Sequence, residues 1–121
     1  MSSRPPFVNH VVERLNQVAP VTAKFMFGGY GLFVEGVMIG LIAEDVLYFK
    51  VDNQNREDYI QAGSEPFIYE GKGKPIQMSY YRLPNDVFEN LEQLVAWVEA
   101  SQDAAVRSKS KAKRPHQGKA P

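Results

Sequence analysis

The chain has 121 residues, 44% hydrophobic and 23% charged, with 14 basic and 14 acidic side chains and no cysteine. That length suits one domain with a single core, and the composition excludes fibrous and membrane-embedded classes. The absence of thiols excludes a disulfide framework, a thiolate metal site and a cysteine nucleophile.

The N-terminal stretch MSSRPPFVNHVVERL has no signal-peptide apolar run, and the longest apolar stretch, Val37 to Ala43, is too short to span a bilayer. Both point to a cytoplasmic protein. The charge is zero overall but unevenly placed. The segment after Ala105 carries Arg107, Lys109, Lys111, Lys113, Arg114 and Lys119 and no carboxylate, which leaves residues 1 to 105 at about −6. The expectation is therefore a folded acidic body, 1–105, and a disordered basic tail, 106–121.

Phe7, Val11, Leu15 and Val18 lie on one face of a predicted helix from Pro5 or Pro6 to Val18, opened by proline and stopped by Pro20. Four short β-rich runs follow. AKFMF ends before Gly28-Gly29, GLFV before Glu35-Gly36, VMIGLIA before Glu44-Asp45, and VLYFK before Asp52. Two-residue separators between such runs predict a four-stranded antiparallel meander. Asp52 then caps a short helix to about Ala62, with Gly63 as its left-handed terminator. PFIYE and IQMSYYRL form a second strand pair around GKGKP, and Asn90 with Gln93 starts a helix whose face is Leu91, Leu94, Val95 and Val98, ending near Ala105. The order α-β4-α-β2-α describes an α+β fold of two layers, an antiparallel sheet with helices mainly on one face.

Gly29 to Val34 lacks the third glycine of a dinucleotide fingerprint and runs into a strand; GKGKP has no hydroxyl residue where a Walker A loop needs one. His10 and His116 have no metal-binding or catalytic partners in sequence, so no cofactor or metal is expected. Most carboxylates fall in turns or on exposed helix faces. Tyrosines on a sheet can stack on a ligand or a base, and alternation sends Tyr80 and Tyr81 to opposite faces. The spaced cations of the tail suit weak, nonspecific nucleic-acid affinity, or serve only as a solubilising extension.

MFGGYG at Met26–Gly31, Pro66-Phe67, Lys74-Pro75 and MSYY at Met78–Tyr81 resemble the N-terminal domain of the TfoX/Sxy family, with similarity over roughly Val11 to Ala105. The resemblance implies a fold like the secretion-chaperone-like and YjbR-like domains, and a regulator of natural competence rather than an enzyme. Full-length competence regulators of that family carry a further C-terminal domain, in whose place this sequence has the basic tail. The leading expectation is a non-enzymatic interaction domain that binds a protein, set in transcriptional or competence regulation. Gly28, Gly29, Tyr30, Gly31, Lys74, Tyr80 and Tyr81 are its candidate binding residues. Two alternatives stand beside it: a ligand-binding module or enzyme with a groove near Tyr30, Glu35, Lys74 and Tyr80, and a homodimeric scaffold paired through an exposed sheet edge, with nucleic-acid affinity from the tail.

Overall fold

A computed structural model describes residues 4–71 and 73–113. Helix α1 (Pro6–Leu15) opens with its prolines at the first turn and buries Val8, Val11 and Leu15. Each such burial contributes about 1.5–3 kcal/mol. The helix stops at Leu15, three residues before the predicted end, because the Asn16 side chain is recruited by the next strand. Its Nδ2 donates to the carbonyls of Val12 (2.8 Å) and Val21 (2.9 Å), and its Oδ1 accepts the Val21 N–H at 3.2 Å.

Strands β1 (Val21–Met26), β2 (Gly29–Val34), β3 (Val37–Ala43) and β4 (Val46–Lys50) form the expected meander. Each hairpin turns on two consecutive residues at positive φ: Phe27 and Gly28, Glu35 and Gly36, Glu44 and Asp45. That is the backbone whose twist matches paired strands. The first turn therefore sits one residue earlier than expected, and Gly29 belongs to β2. A Cβ at Gly29 would run into the Ile42 carbonyl oxygen on β3, which explains glycine inside a strand.

Helix α2 (Arg56–Gln61) ends as predicted at Gly63, φ 77°. The Ser64 N–H reaches the Tyr59 carbonyl and the Gly63 N–H the Ile60 carbonyl, a paired C-terminal cap. Strands β5 (Pro66–Glu70) and β6 (Pro75–Arg82) complete one six-stranded sheet of order β1-β2-β3-β4-β6-β5. β6 docks on β4, and β5 becomes the outer edge.

A single-turn helix, α3 (Asn85–Glu89), was not anticipated; it buries only Val87, too little for a periodic signal. Helix α4 (Leu91–Lys113) starts where expected, with the Gln93 N–H donating to Asn90 Oδ1 at 3.0 Å. It runs eight residues past the predicted end at Ala105, so 106–113 are helical rather than disordered. Residues 114–121, which include Arg114, His116 and Lys119, lie outside the described residues.

The helices share one core with one face of the sheet. Val8, Val11 and Leu15 of α1, Tyr59 of α2, Val87 of α3 and Leu94 and Val98 of α4 meet Leu32, Val34, Ile39, Ile42, Leu47, Phe49 and Tyr81 from the strands. A bulge on β3 adjusts this packing. Leu32 pairs with Gly40 but Phe33 with Met38, so Ile39 is the extra residue. Ile39 and Ile42 can then both join the helix-side core, while Met38 and Leu41 turn to the opposite face.

Candidate functional site

Among the described residues the opposite face carries no helix, and cross-strand register identifies the side chains on it. Lys24 pairs with Gly31, Gly31 with Leu41, Leu41 with Tyr48, and Tyr48 with Arg82. Partners in an antiparallel pair project to the same side. Leu41 is 1% exposed yet stands apart from the helix-side core. It lines an apolar groove of about 400 Å³ together with Phe27, Met38, Phe67, Tyr69, Met78 and Tyr80.

Each strand reaches this groove for a local reason. Glycine at position 31 leaves space that Met26 and Phe33 fill, since a Cβ there would lie 2.6 Å from Met26 Sδ and 3.0 Å from a Phe33 ring carbon. Phe27, at φ 36° in the first hairpin turn, is 46% exposed. Phe67 packs on Tyr48 with ring centroids 4.9 Å apart. Burial raises the pKa of both the Tyr48 and Tyr80 phenols, so both are neutral at physiological pH and present apolar rings with a hydroxyl tip.

Charge is distributed unequally around the groove. Lys24 Nζ lies 5.4 Å from the Phe33 ring centroid, and Lys50 Nζ lies 5.0 Å from that of Tyr80. Burial lowers the Lys50 pKa, which the Asp52 carboxylate partly offsets. An adjoining cleft that shares Phe27, Phe67 and Tyr69 is bordered instead by Glu44, Glu65 and Glu70. The groove thus has cations on one flank and carboxylates on the other.

The seven candidate binding residues are not gathered at one place. Gly31 and Tyr80 belong to the helix-free face, while Tyr81 is 7% exposed in the core, as alternation predicted. Tyr30 packs against the helix-side core, its ring edge-on to Phe25 at 5.4 Å. Tyr30 and Tyr80 therefore lie on opposite faces of the sheet. Gly28 occupies the first hairpin turn, Gly29 abuts β3, and Lys74 is exposed in the β5–β6 hairpin; Glu35 lies in the β2–β3 turn.

Among the basic residues of the C-terminal segment, Arg107 has a structural bond. Its Nε and Nη2 donate to the two Asp52 carboxylate oxygens at 2.7 and 2.9 Å, tying α4 to the β4–α2 loop. That bidentate contact is the main reason the Asp52 carboxyl is held below its ordinary pKa. Lys109 is exposed on α4, Lys111 and Lys113 lie on its last turns, and Arg114 and Lys119 fall outside the described residues.

Sequence reasoning missed Phe27, Met38, Leu41 and Met78. A signal existed in β6, where Ile76, Met78 and Tyr80 alternate with Gln77, Ser79 and Tyr81, so the face opposite the core-facing Tyr81 carries three largely apolar side chains. Among the described residues, no group of His, Asp and Glu is placed to hold a metal ion, and no helix is long and apolar enough to cross a membrane.

The sequence profile described as the TfoX N-terminal domain matches residues 13–105. Protein Sxy of Escherichia coli (strain K12) is 24% identical over 98 residues, covering 81% of this chain and 47% of Sxy. The chain thus spans about half the length of the curated relative it matches.

Proposed function

This chain belongs to the TfoX N-terminal domain family, and from that premise we propose that it is a non-enzymatic regulatory domain that works by binding a segment of a partner protein. The observation that carries this reading is the groove on the helix-free face. Three methionines, Met26, Met38 and Met78, lie on or beside it, and their flexible thioethers suit a surface that repacks around an apolar partner. The occupant proposed is an amphipathic helix with an apolar stripe, basic on one flank and acidic on the other. Such a helix complements Glu44, Glu65 and Glu70 on one side and Lys24 and Lys50 on the other. The setting proposed is transcriptional control of DNA uptake, in line with the family resemblance.

A test uses labelled amphipathic helical peptides with Leu at i, i+3, i+4 and i+7 and acidic, basic or mixed flanks, titrated with the protein by fluorescence anisotropy. The mixed-flank peptide should bind tightest. Met78→Glu, which places an unpaired carboxylate in the groove, should weaken it about tenfold or more. Binding that ignores Met78→Glu or the flank charges refutes the reading. A second reading, a small apolar ligand, draws on the groove volume, within the range of ligand pockets. It would be favoured if aromatic small molecules raise the melting temperature while no peptide binds.

A further inference from the structure

At the root of the C-terminal half of α4 another cleft, about 480 Å³ in volume, opens between the β4–α2 loop, β6 and the helix. Lys50, Arg56 and Arg107 line it, with Ser79 and Ser108 between them. Asp52, the only carboxylate among the described residues that line it, is paired with Arg107. The cleft therefore carries a net positive charge in a chain whose body is acidic overall. Beyond it α4 continues with Lys109, Lys111 and Lys113. At 1.5 Å rise per residue, Lys109, which is exposed, adds a cation roughly 3 Å further along the helix axis than Arg107.

We propose that this cleft and the adjoining end of α4 form a binding surface for the phosphate backbone of nucleic acid. The donors are already partly used: Lys50 Nζ bonds Ser79 Oγ at 2.7 Å, Arg56 Nη1 bonds Asn53 Oδ1 at 2.7 Å, and Arg107 clamps Asp52. With each of these side chains already bonded to a protein partner, the cleft is not a ready-made cage for a single small phosphate. An extended polyanion needs none, because it gains from several spaced cations through counterion release. The Asp52–Arg107 clamp gives the surface its order. It holds the basic end of α4 beside the cleft, so these cations are presented by a docked helix and not by a loose tail. The surface adjoins the apolar groove at Lys50, which lines the cleft and stands over Tyr80, while Arg56 and Arg107 are not among the groove's lining residues.

The test is fluorescence anisotropy of a short labelled DNA duplex with the full chain, titrated from about 50 to 200 mM salt. Wild type should bind with log K falling linearly with log salt, at about −0.9 per phosphate neutralised. The double variant Arg56→Glu/Lys109→Glu should lose roughly tenfold or more in affinity and flatten that slope. Lys24→Glu/Lys74→Glu makes the same change in net charge at exposed sites away from the cleft, and should retain most of the affinity. Equal losses in the two double variants would reduce the effect to net charge and overturn the proposal. So would an undetectable complex at the lowest salt, or a signal abolished by millimolar ATP, which would assign the cleft to small phosphates.

Discussion

Replacing Tyr59 by phenylalanine should stabilise this protein. The Tyr59 ring is 1% exposed and packs edge-on against Trp97 at 4.6 Å and on Tyr81 at 5.8 Å. Its hydroxyl is buried with no hydrogen-bond partner among the described residues. The neighbouring Ser101 hydroxyl, itself fully buried, donates to the Lys50 carbonyl at 2.9 Å. Ser101 offsets only part of the burial that pushes the Tyr59 phenol's pKa up, and its geometry falls short of a hydrogen bond. An unsatisfied buried hydroxyl costs about 1–3 kcal/mol, and phenylalanine removes it while keeping the ring contacts. Taking the lower bound, Tyr59→Phe should gain about 1 kcal/mol, or about 4 °C in melting temperature for a domain of this size.

Trp97 is the only tryptophan and touches the substituted ring, so its fluorescence through a urea titration reads the transition directly. The midpoint should rise with the slope unchanged. A fall of about 1 kcal/mol or more would mean that the hydroxyl is satisfied in solution. A double-mutant cycle with Ser101→Ala tests the same point, since coupling near zero is expected and a strong coupling would refute the assignment.

Gly29→Ala should cost roughly 1–3 kcal/mol by driving β2 off the Ile42 carbonyl, whereas Gly28→Ala in the open turn should cost only the strain of its φ, about 1 kcal/mol; thermal melts would show that order or overturn it. Asp52 has a depressed folded pKa, so its contribution to docking α4 is complete above the unfolded value of about 3.9 and disappears as pH falls through the folded value. Hydrogen-exchange protection at the Arg107–Ser110 amides, measured relative to the intrinsic rate at each pH, should thus fall in acid. In Asp52→Asn it should already be low at neutral pH, and unchanged protection there would show that the clamp does not hold the helix.

Features that depend on short windows of sequence are legible from the residues themselves. The hairpin turns follow from two-residue separators between β-rich runs, the first placed one residue late, the end of α2 from Gly63, and the start of α4 from Asn90. The opposite orientations of Tyr80 and Tyr81 follow from simple alternation. The family signature at Met26–Gly31 is likewise local, and it reports turn geometry and close strand approach, with no helix N-terminus to receive a phosphate.

Other features depend on partners distant along the chain. Val37–Ala43 reads as one apolar run, and only the pairing of Phe33 with Met38 reveals the bulge that sends Leu41 away from the helices. Asn16 ends α1 because β1 lies beside it. The extension of α4 is tied down by a bond between residues 55 positions apart, invisible to any local periodicity. The candidate sites follow the same division. Composition marked the aromatics and cations, but which of them share a surface was settled by strand register and helix docking, since a side chain's neighbours across a sheet depend on pairing and not on adjacency in sequence.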